Sequence, residues 1–163
     1  MEVTTTYRIR PHHGMCLYFF EGKGYSEGFT KHMAEVKEWL LGKNGPASLQ
    51  LVGATDEICS ACPHNKGGSC ESAEKVDRYD AGVLKYTGLK AGQEMTFAEF
   101  ERIVEEKILQ PGYGKVICGD CQWRDLLYYM RSEFSDYMLI KREESDIIKS
   151  ECVRIPLNIL DRI

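Results

Sequence analysis

The spacing of apolar residues along the first third of the chain predicts two helices. Pro11 suits the first position of a helix over residues 12–20, and glycines shortly after this segment end it. A second helix is expected over residues 26–41, where Ser26 is a suitable N-cap and apolar residues recur every three or four positions. Those residues are Phe29, Met33, Val36 and Leu40.

Helical spacing returns in the second half of the chain. Residues 72–86 are expected to form a third helix, and a fourth begins after Thr96, which forms a capping box with Glu99. The apolar stripe of the fourth helix consists of Phe97, Phe100, Val104 and Ile108. A fifth helix is expected over residues 122–133.

The segments between the helices favour short strands or loops. Residues 7–10, 48–53 and 115–117 are expected to be extended. Residues 56–70 are rich in Cys, Gly, Pro and Asn and have no periodicity, which predicts a loop without regular elements. Residues 135–163 are expected to add one strand or short helices.

The amino-acid composition indicates the class of protein to which the chain belongs. The chain has 163 residues, 43% hydrophobic and 28% charged, which fits one folded domain and excludes a disordered or membrane-spanning chain. Its formal net charge is -4, and it lacks the clustered Lys and Arg of a nucleic-acid interface. We therefore expect neither a nucleic-acid partner nor a membrane partner.

Cysteine is the unusual residue type in this composition. The chain has seven cysteines, an odd number that a full set of disulfides would leave incomplete. Residues 1–10 lack the apolar stretch of a secretory signal, so we expect a cytoplasmic protein in a reducing compartment. There, clustered cysteines hold metals or carry out redox chemistry more often than they form structural disulfides.

Five of the cysteines form two groups along the chain. Cys59-x-x-Cys62 is followed by Cys70, and Cys118-x-x-Cys121 lies near the fifth helix. Each C-x-x-C turn can present two sulfurs to one metal ion or cluster. We therefore predict that these five residues ligate a metal centre to which folding of the whole domain brings the later pair.

Two kinds of metal centre satisfy this ligand count. A structural zinc needs four tetrahedral ligands, which the two C-x-x-C pairs supply. An iron–sulfur cluster also needs four thiolates, which Cys59, Cys62 and Cys70 supply together with one member of the later pair. The spacing alone leaves both metals open.

Two readings without metal compete with this prediction. In the first, the cysteines are buried and reduced, although the Gly and Pro around them do not favour a regular element to bury them on. Alternatively, Cys118-Gly-Asp-Cys121 carries out thiol–disulfide exchange, because it follows an expected strand and opens an expected helix. The βαβ pattern of thioredoxin-like proteins is missing, which favours the metal.

A second unusual cluster consists of His12, His13 and Cys16. In a helix that begins at Pro11, both histidines lie one turn from the thiol, although the two rings are not expected to point the same way. This geometry suits a catalytic Cys–His dyad or a pair of metal ligands. The alternative is a core or capping histidine beside a buried cysteine.

Four other basic side chains are weaker candidates for site residues. His64, within the cysteine-rich loop, is an alternative ligand or an exposed loop residue, and His32 is expected to be incidental on a polar helix face. Arg8 and Arg10 either contribute positive charge to a pocket that binds an anion, or they are solvated side chains with no role in a site.

Several of these segments together resemble a known family. They are residues 10–16 (RPHHGMC), 20–26 (FEGKGYS), 56–63 (DEICSACP), 67–70 (GGSC) and 118–123 (CGDCQW). Over roughly residues 8–127 the chain is similar to the bacterial and archaeal family called domain of unknown function 1284. The resemblance implies an iron–sulfur protein and no particular activity. Cys152 lies outside the shared pattern and receives no ligand role.

The predicted fold class is mainly α, or α+β with short strands. Residues 7–130 form a single small domain organised around a Cys-ligated metal centre, and residues 131–163 form a C-terminal extension that packs on it. The predicted function is metal binding, with a 4Fe–4S cluster that transfers electrons to a redox partner protein or senses redox state. One alternative is a zinc-stabilised structural or interaction module. The other is a thiol-dependent enzyme that uses Cys16 with His12 or His13.

Overall fold

The structure is a computed structural model that describes residues 3–20, 22, 25–122 and 124. All of them belong to the first of two units into which the chain divides, Met1–Tyr128. The structure does not describe the extension at 131–163 or Cys152, and it describes only residues 122 and 124 of the helix expected at 122–133. The division at residue 130 therefore stays a prediction. None of the described helices has the length and apolar character needed to cross a membrane.

The described unit is α+β, about half helical with short strands, as predicted. Its helices are α1 (Pro11–Phe19), α2 (Glu27–Leu40), α3 (Ala73–Thr87), α4 (Phe97–Val104) and α5 (Gly114–Cys118). Its strands are β1 (Thr5–Ile9), β2 (Ala47–Leu51), β3 (Asn65–Lys66), β4 (Ser69–Cys70) and β5 (Glu94–Met95). A 3-10 turn covers Ile58–Ala61, and a π-helical turn, Glu105–Leu109, continues α4.

Three strands form a small mixed sheet in the order β1-β2-β5. β1 runs parallel to β2, with Ile9 opposite Leu51, and β5 runs antiparallel to β2, with Met95 opposite Leu49. A parallel pair needs a crossover connection, and here α1 and α2 provide it. Ile9, Leu49 and Leu51 are fully buried, so one face of the sheet belongs to the core.

The predicted helix signals are confirmed at both capped N-termini. The Ser26 hydroxyl accepts a hydrogen bond from the backbone N–H of Phe29 (3.2 Å), and the Thr96 hydroxyl accepts one from that of Glu99 (3.2 Å). Both predicted apolar stripes are buried: Phe29, Met33, Val36, Leu40, Phe97, Phe100, Val104 and Ile108. Periodicity therefore identified the core faces of α2 and α4.

Two expectations about local structure were wrong. Residues 115–117 belong to the helix α5 and not to a strand. Ile117 is buried against α3, and Val116 is 67% exposed. Residues 56–70 are not devoid of regular elements, because they contain the 3-10 turn and the β3–β4 hairpin. Gly67 and Gly68 make this hairpin feasible at φ of +64° and +90°, since other residues rarely adopt such angles.

The position of α1 depends on a glycine. A Cβ at Gly14 would lie 2.7 Å from Cε1 of Phe100, so α1 can approach α4 this closely only without a side chain there. Phe100 is fully buried and has little room to move aside. Because α1 carries His12, His13 and Cys16, this contact fixes where the candidate site residues lie.

Candidate metal centre

A cleft at one end of α1 brings together three of the five predicted ligands. Residues from the β1–α1 junction, the cysteine loop (residues 56–70) and α3 surround it. Its lining residues are Arg10, His12, His13, Thr55, Cys59, Cys62, Asn65, Cys70 and Val76. Cys118 and Cys121, although described by the structure, are not among them.

The cysteine loop is a compact turn followed by a hairpin. The backbone N–H of Cys62 donates to the carbonyl of Cys59 (3.1 Å), and the N–H of Asn65 donates to the carbonyl of Cys62 (3.1 Å). The Asn65 side-chain amide also donates to the Cys59 carbonyl (2.9 Å). The hairpin then pairs Asn65 with Cys70, which returns the third thiol to the first two.

Two thiols of this loop, those of Cys59 and Cys62, are harder to ionise than free cysteine. Burial, reinforced by the charge of Asp56, raises the pKa of Cys59 to about 12. Burial also raises the pKa of Cys62, although hydrogen bonds from the backbone of His64 and Asn65 act in the opposite direction. A metal that binds these sulfurs must therefore displace protons from them.

Asp56 is a buried carboxylate that organises the rim of the cleft. Its Oδ1 accepts from the backbone N–H of Ile58 (3.0 Å) and of Cys59 (3.1 Å). Its Oδ2 accepts from the backbone N–H of Arg10 (2.6 Å) and pairs with Nδ1 of His13 (2.8 Å). Burial alone would raise the pKa of Asp56, but His13 and the backbone hydrogen bonds outweigh it and hold this pKa well below its usual range.

His13, Asp56 and Cys59 form a close group of side chains that could hold a metal ion. One nitrogen, oxygen or sulfur ligand atom of each lies within 4.8 Å of the other two. Within the part of the chain that the structure describes, no group of three cysteine sulfurs is that close. The arrangement is compatible with an ion bound by mixed nitrogen, oxygen and sulfur ligands.

His12 is held by a second buried carboxylate, Asp80 of α3. Oδ1 of Asp80 lies 2.6 Å from Nδ1 of His12 and accepts from its backbone N–H (2.9 Å). Burial and the neighbouring His13 lower the pKa of His12 to about 4 despite this carboxylate, so the imidazole is neutral at pH 7. The rings of His12 and His13 lie 4.1 Å apart and both line the cleft, contrary to the expectation that they point different ways.

Arg10 is buried at 3% exposure, which contradicts the alternative that it is solvated. Its Nε donates to Oδ2 of Asp80 (2.7 Å), and its Nη2 donates to Asp77. A buried guanidinium requires such partners because an unpaired charge in the interior is costly. Arg10 and His12 therefore share one carboxylate, which ties α1 to α3.

The two histidines have the same arrangement at Nδ1. Each faces a buried carboxylate there, Asp56 for His13 and Asp80 for His12, which leaves Nε2 as the nitrogen available to a ligand. Metal-bound histidines in proteins are commonly oriented in this way. Because a carboxylate engages Nδ1 in both rings, only Nε2 is left to contact the thiol of Cys16 in a catalytic dyad.

Sequence reasoning missed both carboxylates. Asp56 carries a recognisable signal, since an acidic residue three positions before Cys59 is suited to accept backbone hydrogen bonds in a turn. Asp80 shows a weaker one, as a charged residue beside the apolar positions Tyr79 and Val83 of α3. Its partner Arg10 is 70 residues away in the chain, a distance at which spacing predicts nothing.

The remaining predicted site cysteines do not line the cleft: they are Cys16, Cys118 and Cys121. Burial and the nearby charges of Cys118 and Cys121 raise the pKa of Cys16 well above its usual value. Burial and Cys121 likewise raise the pKa of Cys118 to about 12. A reactive nucleophile needs the opposite shift.

Comparison with known protein families agrees with the resemblance stated from the motifs. The family described as "Protein of unknown function (DUF1284)" matches residues 24–126, well over half of the chain. The chain belongs to this family. The matched segment contains the cysteine loop, Asp80 and both C-x-x-C pairs, whereas α1 with its histidines precedes it. No curated protein and no solved structure matches the chain.

The two other described histidines do not line the cleft: His64 belongs to the cysteine loop, and His32 contacts that loop from α2. His64 pairs with Glu71 just beyond the loop. His32, expected to be incidental, places its Nε2 2.7 Å from the carbonyl of Glu57 and 2.9 Å from the hydroxyl of Ser60. His32 therefore joins α2 to the cysteine loop of this DUF1284 protein.

Proposed function

We propose that this protein binds a metal centre in the cleft through the thiolates of Cys59, Cys62 and Cys70 and the imidazole of His13. The observation that carries the proposal is that three cysteines and a carboxylate-oriented histidine line one cleft. The donor set is chemically consistent, because thiolate and imidazole together suit zinc and iron.

The surrounding residues support this ligand set. Asp56 holds His13 by its Nδ1, which directs Nε2 to the metal and increases the basicity of the ring. His12, also neutral and oriented by a carboxylate, is a second imidazole on the same wall.

An iron–sulfur cluster is the first form of this proposal. It follows from the resemblance to the family, and such a cluster would supply one-electron redox chemistry. The chain would hold the cluster and exclude solvent from part of it, since Cys59 is buried. Cys62 and Cys70 are partly exposed, which would leave an edge for a redox partner protein.

Zinc is the second form, favoured by the mixed donors of the cleft. Three cysteines and one histidine are an established tetrahedral ligand set for structural zinc. In this case the metal would stabilise the cysteine loop against α1, and the protein would serve as a structural or interaction module.

Anaerobic purification followed by analysis of iron, zinc and acid-labile sulfide tests the proposal. A brown protein with iron and sulfide would support the cluster, and a colourless protein with stoichiometric zinc would support the second form. We expect Cys62→Ser and His13→Ala to lower the content of that metal, whereas Ser60→Ala, within the same C-x-x-C turn, retains it. A wild-type protein without bound metal that also fails to take up Zn²⁺ or iron would refute both forms.

The sequence-based choice of fourth ligand is tested by the same measurement. If Cys118 or Cys121 completes the cleft centre, Cys118→Ser or Cys121→Ser will remove the same metal as Cys62→Ser. If His13 completes it, the cleft metal will survive both substitutions.

A further inference from the structure

Cys118 and Cys121 lie at the two ends of one four-residue turn outside the cleft. Cys118 is the last residue of α5, and the backbone N–H of Cys121 donates to its carbonyl (3.0 Å). A turn closed by this hydrogen bond brings its first and last Cα atoms within about 7 Å of each other. A disulfide joins Cα atoms that are about 4.4–6.8 Å apart, so the backbone of this turn is compatible with a bond between the two sulfurs.

Contacts with α3 hold this turn in place. Asp120 Oδ1 accepts from the hydroxyl of Tyr79 (2.9 Å), and its Oδ2 accepts from Nη2 of Arg78 (2.7 Å). The ammonium group of Lys75 donates to the Asp120 carbonyl (2.8 Å). Because the turn is already ordered, less entropy is lost when the two sulfurs join than in an unstructured chain.

The two thiols differ in their access to solvent. Cys118 is 4% exposed, whereas Cys121 is partly exposed. Burial and the charge of Cys121 raise the pKa of Cys118 to about 12, so the Cys118 thiol stays protonated at pH 7. In thiol–disulfide exchange, access helps to decide which sulfur meets an external disulfide first. Cys121 is therefore suited to react first, and Cys118 is suited to resolve the product.

The surroundings of this pair favour a disulfide over a metal ion. A tetrahedral metal site takes at least three protein ligands. In the described part of the chain, the group of three potential ligands within 4.8 Å of one another is His13, Asp56 and Cys59 of the cleft. Both carboxylate oxygens of Asp120 are already engaged by side chains of α3. A bond between two sulfurs needs no third ligand.

We propose that Cys118 and Cys121 form a dithiol–disulfide redox site that reacts with external disulfides. The thiolate of Cys121 attacks one sulfur of a low-molecular-weight disulfide, whose S–S bond breaks and releases one thiolate. Cys118 then attacks the sulfur of Cys121 in the mixed disulfide, which releases the second thiolate. The two protein thiols lose two electrons, which reduce the external disulfide to two thiols, and their protons pass to the two leaving groups.

Equilibration of the whole chain with oxidised and reduced glutathione tests the inference. After alkylation of the free thiols, trypsin releases residues 116–124 as one peptide that contains both cysteines. We expect this peptide to lose two hydrogens and both alkylation sites as the proportion of oxidised glutathione rises. The equilibrium constant for this disulfide should be at least about tenfold higher in the native chain than in the chain unfolded in urea.

Serine variants separate the roles of the two cysteines. Cys118→Ser should retain glutathione as a mixed disulfide on Cys121, because the thiol that resolves it is gone. Cys121→Ser should leave Cys118 without glutathione, because Cys118 is buried. Cys16→Ser is the matched control and should form the same disulfide as the wild type.

Three outcomes with the wild type would overturn the inference. The first is a peptide 116–124 that oxidises no more readily in the native chain than in urea. The second is a disulfide that joins Cys16 to Cys118 or Cys121. The third is that one equivalent of Zn²⁺ prevents the oxidation, which would make the pair a metal ligand.

The inference does not depend on the proposed metal centre, because the pair shares no residue with the cleft. A chain that binds no metal but forms this disulfide would refute the proposed function and support the redox site. A chain that binds metal in the cleft but keeps peptide 116–124 reduced would do the reverse.

Discussion

The two thiol groups of this protein differ in how the chain assembles them. Cys59, Cys62 and Cys70 come from one short loop and need only a turn and a hairpin to meet at the cleft. Cys16, Cys118 and Cys121 come from opposite ends of the described unit, and only the packing of α1 and α5 on the same helix, α3, relates them. Spacing can therefore predict the first group, whereas the second depends on the tertiary fold.

Their surroundings differ as well. The cleft has two imidazoles and two buried carboxylates, so its thiols have polar neighbours already in place. The second group is anchored from outside by Asp120 on an exposed turn. Substitutions can therefore disturb both groups together or each one alone.

The largest expected effect is that of Asp80→Ala, which acts on both groups. The change leaves Arg10 buried without its main partner and frees His12, and Asp80 also lies near Cys16. Removing one partner of a buried ion pair destabilises a protein by about 3–5 kcal/mol. Urea unfolding followed by circular dichroism measures the change.

Asp77→Ala is the matched control for this prediction. Asp77 pairs with the same guanidinium, but its side chain is 62% exposed. An exposed partner contributes about 0–1 kcal/mol. Equal losses in the two variants would show that burial of Asp80 does not determine the effect.

Gly14→Ala should have the next largest effect, again on both groups, because α1 contributes to each. The new Cβ would lie 2.7 Å from the buried Phe100 ring. Such overpacking costs about 1–3 kcal/mol. In Gly28→Ala no atom lies within 4 Å of the new Cβ, so this control in α2 should be neutral or stabilised by up to about 1 kcal/mol. A thermal or urea unfolding series compares the two.

Asp56→Asn should affect the cleft alone. The amide cannot reproduce four hydrogen bonds to a carboxylate, so His13 loses its orientation. Changes of this kind lower metal affinity by about 10- to 100-fold. Competition with a chromophoric chelator measures the metal affinity of the cleft, and an affinity equal to that of the wild type would contradict the role of Asp56 in orienting His13.

The smallest expected effect is that of Asp120→Asn, which should act on the second group alone. The contacts of Asp120 with Arg78 and Tyr79 are exposed or partly exposed, and such contacts contribute little. We expect alkylation of Cys121 in the metal-free protein to rise by at most about fivefold, with Cys62 unchanged. Faster alkylation of both thiols would mean that the turn supports the cleft as well.

Much of the local structure was predictable because its causes are local. The Ser26 and Thr96 caps and the buried stripes of α2 and α4 follow from side-chain type and helical period. Residues 115–117 were predicted to be a strand, but three apolar or basic residues fit the helical period as well as the strand period. The packing of Ile117 against Gly82 favours the helix.

The sequence by itself determined the family, through its motifs. It also determined the helices of the core and the cysteine loop, because each of these elements depends on residues that lie close together in the chain. Only the tertiary structure decided that Arg10 is buried, that Asp80 joins it to His12, and that α1 and α5 both pack on α3. The contacts of Asp80 with Arg10 and His12 join residues about 70 positions apart. Burial and hydrogen bonding between such distant residues arise from packing α1 and α5 on α3, which no local period encodes.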